Sequence, residues 1–503
     1  MKQKSTPATK KNPQKLMSQR QVVFFIAGCM IFSAALSFFF FLGQSLRLDE
    51  AQSLWQTSRS PQKVLNIIAQ DVHVPFYHIM LHAWQSFFGN NVVTARVFSL
   101  IFFLASIPAL YKLASLNYSQ KSSLYVTLLF SVSPFMNWYG NEIRMYSVFT
   151  LLILLNQFYF ISLFKHRDEE QRQPWVKYGI TAILGIYTHY FFFFALVSQV
   201  VFYFLNRDIF SKNSLKKFAI VLVSLIASFT PWALYVFSLG TINNSSPLLI
   251  VPNSTNVFNT FSQFLFGFQT NAINTILVSL WPLTVLFGFL ALRKKATIRP
   301  ETTFFIVSFL TPVILAFTVS VFVRPLFLSR YLILTLPSLY ILLTWISATY
   351  PETIRKLFRG GLVAIMLITL SIQVTSALTP VKENYLGASL YLAENATASD
   401  TIIVSAPFTI YPVEYYYRGP AVLTTIPGWD RREYGPIPPF NEENLPIEVE
   451  NIKNNSENMW VLLSYDQGYE EKVRMYFDNN YERLDVQTFS PGLRLYKYKA
   501  RYE

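Results

Sequence analysis

The sequence predicts a polytopic α-helical membrane protein with a small C-terminal α/β extramembrane domain, on three observations. Of its 503 residues, 52% are hydrophobic and only 14% are charged, whereas a soluble globular chain carries about a quarter charged residues. Apolar runs of roughly 20 residues, the length that crosses a bilayer, recur through residues 22–379. Beyond that point the runs stop, and Pro, Asn, Glu and Tyr rise. The net charge of +14 marks cytoplasmic loops in such a protein and calls for no nucleic-acid partner. Cys29 is the single cysteine and lies inside the first apolar run, so no intrachain disulfide is possible.

Residues 1–21 form a basic tail with Lys2, Lys4, Lys10, Lys11, Lys15 and Arg20. The apolar stretch Val22–Leu46 follows and exceeds the 7–15 residues of a signal-peptide core, so it reads as an uncleaved first helix with its basic end in the cytoplasm. Five later basic clusters, at 112–121, 165–177, 207–217, 293–299 and 355–359, are assigned to the cytoplasm by the positive-inside rule. The segments between them then cross in pairs. The resulting spans are 22–46, 92–114, 122–137, 146–164, 178–189, 191–205, 218–239, 272–292, 302–322, 331–349 and 361–378. The sum is about eleven, with the N-terminus inside and the C-terminus outside.

Two outer loops are long, 47–91 and 240–271. In the first, "PFYHIMLHAWQSFFG" (Pro75–Gly89) is apolar but short for a span. If it crossed, every later basic loop would invert, so it reads as a helix lying at the interface, where Trp84, Tyr77 and the histidines suit. "SPQKVLNIIAQ" reads as another short helix, with Ser60 as N-cap, Pro61 at the first position, and Val64, Ile67 and Ile68 on one face. In the 380–503 domain, 400–406, 458–465 and 492–500 read as strands and 469–480 as a helix.

Ionisable residues collect at the predicted outer helix ends: Asp49, Glu50, Asp71, His73, His78, His82, Glu142, Arg144, His189, Arg324 and Arg330. Any one of them is as well explained by solvation in the headgroup layer. The set combines carboxylates on two separate loops with arginines on two, one loop carrying both Glu142 and Arg144. A carboxylate against an apolar wall can act as a general base, two carboxylates can share a divalent cation, and arginines grip phosphate in a planar fork. Together they sketch group transfer from a lipid-phosphate donor. His78 and His82, spaced i, i+4, have a zinc-compatible spacing, but no "HExxH" or nearby thiolate accompanies them, and interfacial histidines are the ordinary reading. There is no GxGxxG or Walker-type loop to suggest a nucleotide.

Five stretches resemble one family. "LDEAQSLW" (Leu48–Trp55) is similar to an acidic first-loop motif, and "DVHVPFYHIMLHAW" (Asp71–Trp84) to the segment that follows it. "SPFMNWYGNEIRMYS" (Ser133–Ser147), "YTHYFF" (Tyr187–Phe192) and "SRYLILTLP" (Ser329–Pro337) are similar to three later ones. The family is the GT-C glycosyltransferases, in the protein O-mannosyltransferase-like and aminoarabinose-transferase-like group. The resemblance covers the N-terminal two-thirds, with Val74 in place of a proline and Ile143 in place of an alanine.

The resemblance implies the GT-C fold, a polyprenyl-phosphate-sugar donor and transfer, usually inverting, on the non-cytoplasmic face to a protein, lipid or polysaccharide acceptor. It makes Asp49 the catalytic base, and Glu50 its neighbour that orients the acceptor or a metal. Glu142 and Arg144 complete the site. His73 stands where the family has a basic residue near the lipid phosphate, and Arg330 and Arg324 also hold that phosphate. His189 and Tyr331, which lie in the matching stretches, join the substrate-binding set, with Asp71, His78, His82 and Tyr146 as further candidates. A divalent cation, Mg or Mn, on Asp49 and Glu142 is the cofactor expectation. The rival reading is a transporter or flippase for a lipid-linked glycan, which would carry its charges near mid-span. A polysaccharide ligase or polymerase would concentrate arginines in later outer loops.

Overall fold

A computed structural model describes residues 17–165, 172–210, 213–239, 249–294, 298–376, 383–430, 437–453, 456–464 and 466–499. The basic tail before residue 17, parts of the basic segments at 165–177, 207–217 and 293–299, and the domain boundary expected at 379/380 lie outside the described residues.

The chain opens with α1 (Gln19–Leu36), whose capping box pairs Ser18 with Gln21, and passes through a π-helical turn at Ser37–Phe41. Three short helices fill the first long loop: α2 (Leu48–Thr57), α3 (Pro61–Ala69) and α4 (Pro75–Phe88). The helical body continues with α5 (Val92–Ser115), α6 (Gln120–Ser131), α7 (Pro134–Tyr139), α8 (Tyr146–Lys165), α9 (Arg172–Ile186), α10 (Phe192–Leu205), α11 (Ser214–Ser238), α12 (Ser254–Phe266), α13 (Asn271–Val278), α14 (Trp281–Lys294), α15 (Pro300–Phe322), α16 (Leu336–Ala348) and α17 (Glu352–Thr375).

Among the described residues, eight helical segments are long and apolar enough to cross a membrane. The three other predicted spans are shorter. α9 has 15 residues and α10 has 14, about 22 Å each at 1.5 Å per residue against a core of about 30 Å. The predicted 122–137 helix breaks at Ser133, where Pro134 takes the first position of α7. The 272–292 helix likewise divides into α13 and α14, with Pro282 in the first turn of the second. α17 starts at Glu352, earlier than its apolar run, because a charged turn with Arg355, Lys356 and Arg359 extends it. Pattern reading finds α3 and α4 but not α2 or α12, which carry too few apolar residues in a row.

Polar side chains tie the helices together. Asn156 of α8 donates to Thr181 Oγ1 of α9 (3.1 Å) and accepts from Gln199 of α10 (2.7 Å); Gln199 accepts from the Tyr178 hydroxyl (2.7 Å). Gly267 ends α12 at φ +67°. A Cβ there would strike Gln373 and Pro134, which Gln373 links by donating to the Pro134 carbonyl (3.1 Å) while accepting from Phe268 N–H (2.7 Å).

The C-terminal domain runs α18 (Tyr385–Asn395), β1 (Thr401–Ser405), α19 (Ile410–Tyr416), β2 (Val422–Thr425), α20 (Leu445–Lys453), β3 (Asn458–Ser464), α21 (Glu470–Asn480), β4 (Glu482–Ser490) and β5 (Leu493–Lys499). The sheet order is β2-β1-β3-β5-β4, parallel across β2, β1 and β3 and antiparallel beyond. β1 is buried on both faces: Ile402 and Val404 enter one apolar cluster and Ile403 the other. The strands expected at 400–406, 458–465 and 492–500 and the helix at 469–480 are present, although Tyr465 and the residues after Lys499 lie outside the described residues. Edge strand β4 is mostly half-exposed or exposed, which hides the alternation a reader looks for.

Candidate active site at one end of the helical bundle

α2 starts at Leu48, so Asp49 and Glu50 occupy its first turn, where the helix dipole favours negative charge. The Arg47 N–H donates to Glu50 Oε2 (3.0 Å). The two acids then part company. Glu50 is wholly buried and grips Arg96 of α5 through Nε (3.0 Å) and Nη2 (2.7 Å), while its Oε1 also accepts the Ile143 N–H (3.2 Å). Arg96, itself wholly buried, spends its remaining donors on the carbonyls of Phe41, Leu42, Gln44 and Ser45. This corrects the expectation that Glu50 orients an acceptor or metal: its oxygens are turned inward to fasten α1, α2, α5 and the second loop together.

The Asp49 side chain stays 22% exposed, and Arg330 Nη1 lies 3.5 Å from its Oδ2. Arg144 donates to the Asp49 carbonyl (3.3 Å) and to Ser53 Oγ (3.2 Å). Its other nitrogen lies 2.6 Å from His73 Nε2. Guanidinium can only donate, so His73 accepts there with Nε2 and carries its proton on Nδ1. Glu142, buried in the second loop, pairs with Arg47 (2.9 Å), whose guanidinium also lies over the Trp138 ring. Gly140 allows that loop its path: a Cβ would come within 2.6 Å of Phe103. Tyr146, Tyr331 and His189 form the next shell. The His189 ring lies 5.2 Å from Tyr331 and 6.5 Å from Tyr146, stacks on Phe149 at 4.9 Å, and takes the Phe191 N–H on Nδ1.

Charge follows from this packing. Burial pushes the Asp49 carboxyl up, but the charges of Arg144, Arg330 and Arg47 outweigh it and hold the group well below the usual carboxylate range. Burial, then Arg144 and His189, push His73 well below the ordinary imidazole value. Burial, then Arg144 and Arg330, bring His189 down to about 3. Both rings are therefore neutral at neutral pH. His73 supplies no positive charge, contrary to the basic role the resemblance assigns to it.

The remaining candidates lie around this centre. Asp71 accepts from Gln52 (3.2 Å) and Gln56 (2.7 Å) of α2, which docks the loop before α4. His78 is fully buried, stacks on His73 and turns Nδ1 to the Val74 carbonyl, while His82 turns Nδ1 to the Thr57 carbonyl (2.8 Å). The zinc-compatible spacing thus serves helix packing. Arg324 is half-exposed and joins no ion pair with another described residue. Of the two carboxylates expected to share a divalent cation, Glu142 pairs with Arg47 and Asp49 with Arg330. Arg47 and Arg96 were not foreseen. Arg96 left a signal, an arginine inside an apolar run, which asks for a buried partner.

A family model described as dolichyl-phosphate-mannose-protein mannosyltransferase matches residues 72–235, a stretch that includes His73, Glu142, Arg144 and His189. No curated protein sequence matches significantly. The structure of ArnT from Cupriavidus metallidurans in the apo state superposes at TM-score 0.62 with 13% identity, covering 95% of this chain and 98% of that one. The chain has the GT-C fold. The same ArnT bound to undecaprenyl phosphate gives TM-score 0.58 at 13% identity, covering 96% and 98% of the two chains. The oligosaccharyltransferase AglB from Archaeoglobus fulgidus, in complex with an inhibitory peptide and a dolichol-phosphate, gives 0.54 at 11% identity over 95% and 74%. In this GT-C chain, the first loop, the second loop and the segment before α16 converge on Asp49.

Proposed function

We propose that the chain is an integral-membrane glycosyltransferase. It transfers a sugar from a polyprenyl-phosphate-linked donor to an acceptor hydroxyl on the non-cytoplasmic face, with inversion and with Asp49 as general base. The observation that carries this reading is a part-exposed carboxylate set among three guanidiniums, Arg47, Arg144 and Arg330, at one end of an apolar bundle. The family match and the fold shared with proteins bound to undecaprenyl or dolichol phosphate support it.

The acceptor O–H gives its proton to Asp49 as its oxygen attacks the anomeric carbon. The bond from that carbon to the phosphate oxygen breaks, and the electron pair leaves with the polyprenyl phosphate. Arg144 and Arg330 receive the growing phosphate charge, and neutral His73 holds Arg144 in place. Tyr146, His189 and Tyr331 wall the sugar pocket. Displacement from the face opposite the phosphate inverts the anomeric centre. The N-terminus is cytoplasmic and the C-terminal domain lies outside. A transporter would place charge near mid-span. Here the charged cluster gathers at helix ends, and Arg96, the charge within α5, is spent on Glu50 and carbonyls.

The test follows polyprenyl phosphate released by purified protein from a panel of polyprenyl-phosphate monosaccharides. Wild type hydrolyses one of them slowly, and Asp49→Asn lowers that rate at least about a hundredfold. EDTA leaves the wild-type rate unchanged. Equal rates for the two proteins sink the assignment of the base. No turnover and no binding of any donor removes the transferase reading.

A further inference from the structure

The six-residue link between the π-turn and α2, Leu42 to Arg47, is gripped from two sides. Arg96 takes its carbonyls at Leu42, Gln44 and Ser45. The C-terminal domain takes the Leu46 N–H and the Ser45 hydroxyl. The Leu46 N–H donates to the Tyr416 hydroxyl (3.0 Å), and the Leu386 N–H donates to Ser45 Oγ (3.2 Å). Leu46 is wholly buried, so its N–H has no water to fall back on. Three residues later comes Asp49. At the other end of α2, Trp55 packs against Tyr411 with centroids 5.2 Å apart, and Arg59 lies over the Trp55 ring at 4.1 Å. Tyr411 and Tyr416 are the two ends of one short helix, α19, so α19 lies along α2 and contacts both its ends. Tyr415 adds a third tie, donating to the Asn90 carbonyl (3.1 Å) just before α5.

We propose that the C-terminal domain is a positioning element of the active site, acting through the Tyr416 hydroxyl on the start of α2 and thereby on Asp49. This rests on the transferase reading for its catalytic meaning but not for its structural content. The Leu46 N–H depends on a single hydroxyl, that of Tyr416. Without it, the Leu46 N–H is buried unpaired, the first turn of α2 loosens, and the carboxylate loses its fixed place relative to Arg144 and Arg330. A displacement of about 1 Å at a reacting group can cost as much as a hundredfold in rate. The donor-binding guanidiniums stand on other segments, so donor affinity stays.

The experiment compares wild type, Tyr416→Phe and Tyr417→Phe as full-length proteins. The Tyr417 hydroxyl accepts the Ala421 N–H within the C-terminal domain, so its variant removes an equivalent hydrogen bond away from α2. Hydrogen exchange of residues 46–51 is read together with donor hydrolysis. Tyr416→Phe is expected to speed exchange of those amides and to lower kcat about tenfold with donor KM within about twofold. Tyr417→Phe is expected to leave both at wild-type values. Unchanged exchange at 46–51 in folded Tyr416→Phe overturns the proposal, whatever the enzyme does. Faster exchange with unchanged kcat overturns the link to Asp49. If wild type turns over no donor, the transferase reading fails and the exchange result still decides whether Tyr416 fastens α2.

Discussion

Asp49 and Glu50 are adjacent in sequence and opposite in environment, which is the main lesson at the scale of the residue. One stays part-exposed among arginines and the other faces a buried guanidinium. For Asp49, the neighbouring cations win over burial, so the base is ionised well below its usual range. The acid limb of kcat/KM should therefore lie below the ordinary aspartate value of about 3.9. Arg330→Gln removes one lowering charge and should move that limb upward, with donor KM raised; a limb that stays put would mean that Arg330 does not face the base in solution. The same sign governs stability. A lowered carboxyl contributes above its unfolded value and loses that contribution as pH falls toward the folded one. For Glu50 the partner matters more. Arg96→Ala strands a wholly buried carboxylate and should cost about 3–5 kcal/mol, seen as a collapse of thermal stability in detergent. An Arg96→Ala protein as stable as wild type would show that the pair does not fasten the fold.

At the scale of the element, one short helix, α2, carries the proposed base. α2 has few consecutive apolar residues, so periodicity does not announce it, yet its first turn presents Asp49. α9 and α10 are short for spans and are held to α8 by the Asn156, Thr181, Tyr178 and Gln199 network. Within a bilayer such side-chain bonds contribute about 0.6–1.7 kcal/mol. Gln199→Leu removes two of these bonds and should lower the unfolding free energy by about that much for each, while leaving donor hydrolysis intact. Loss of activity without loss of stability would point to a role for this network in substrate binding.

The whole molecule is a helical body with a sheet domain fastened to its first loop. Its orientation is open to direct measurement, because Cys29 is the single cysteine and is buried. Lys472 on α21 and Lys356 on α17 are well exposed, at 53% and 76%, so cysteine at either place costs little. A membrane-impermeant maleimide should label Lys472→Cys on intact cells and Lys356→Cys only after permeabilisation. The reverse pattern would place the proposed site in the cytoplasm.

Much of this architecture is legible in the sequence because its cause is local. Apolar length, basic flanks and a proline at the start of a helix act within a few residues of themselves. Hence α3, α4, α5, α15 and the strands β1, β3 and β5 emerge from pattern, and the five motifs bring Asp49, Glu142, Arg144, His189 and Arg330 into view. Broken helices are harder, since Pro134 and Pro282 read equally well as kinks inside a span. What sequence cannot divide is the labour among those side chains. Asp49 and Glu50 have the same charge at adjoining positions. Only Arg96, 46 residues later, and Arg330, on a different segment, decide which acid is buried and which is free to act. His73 has the composition of a cation and, through burial beside Arg144, the behaviour of a neutral acceptor. Tyr416 reaches α2 across 370 residues of chain. Local chemistry determined the elements and the inventory of groups; desolvation and long-range pairing, which exist only in the folded state, decided what each group is.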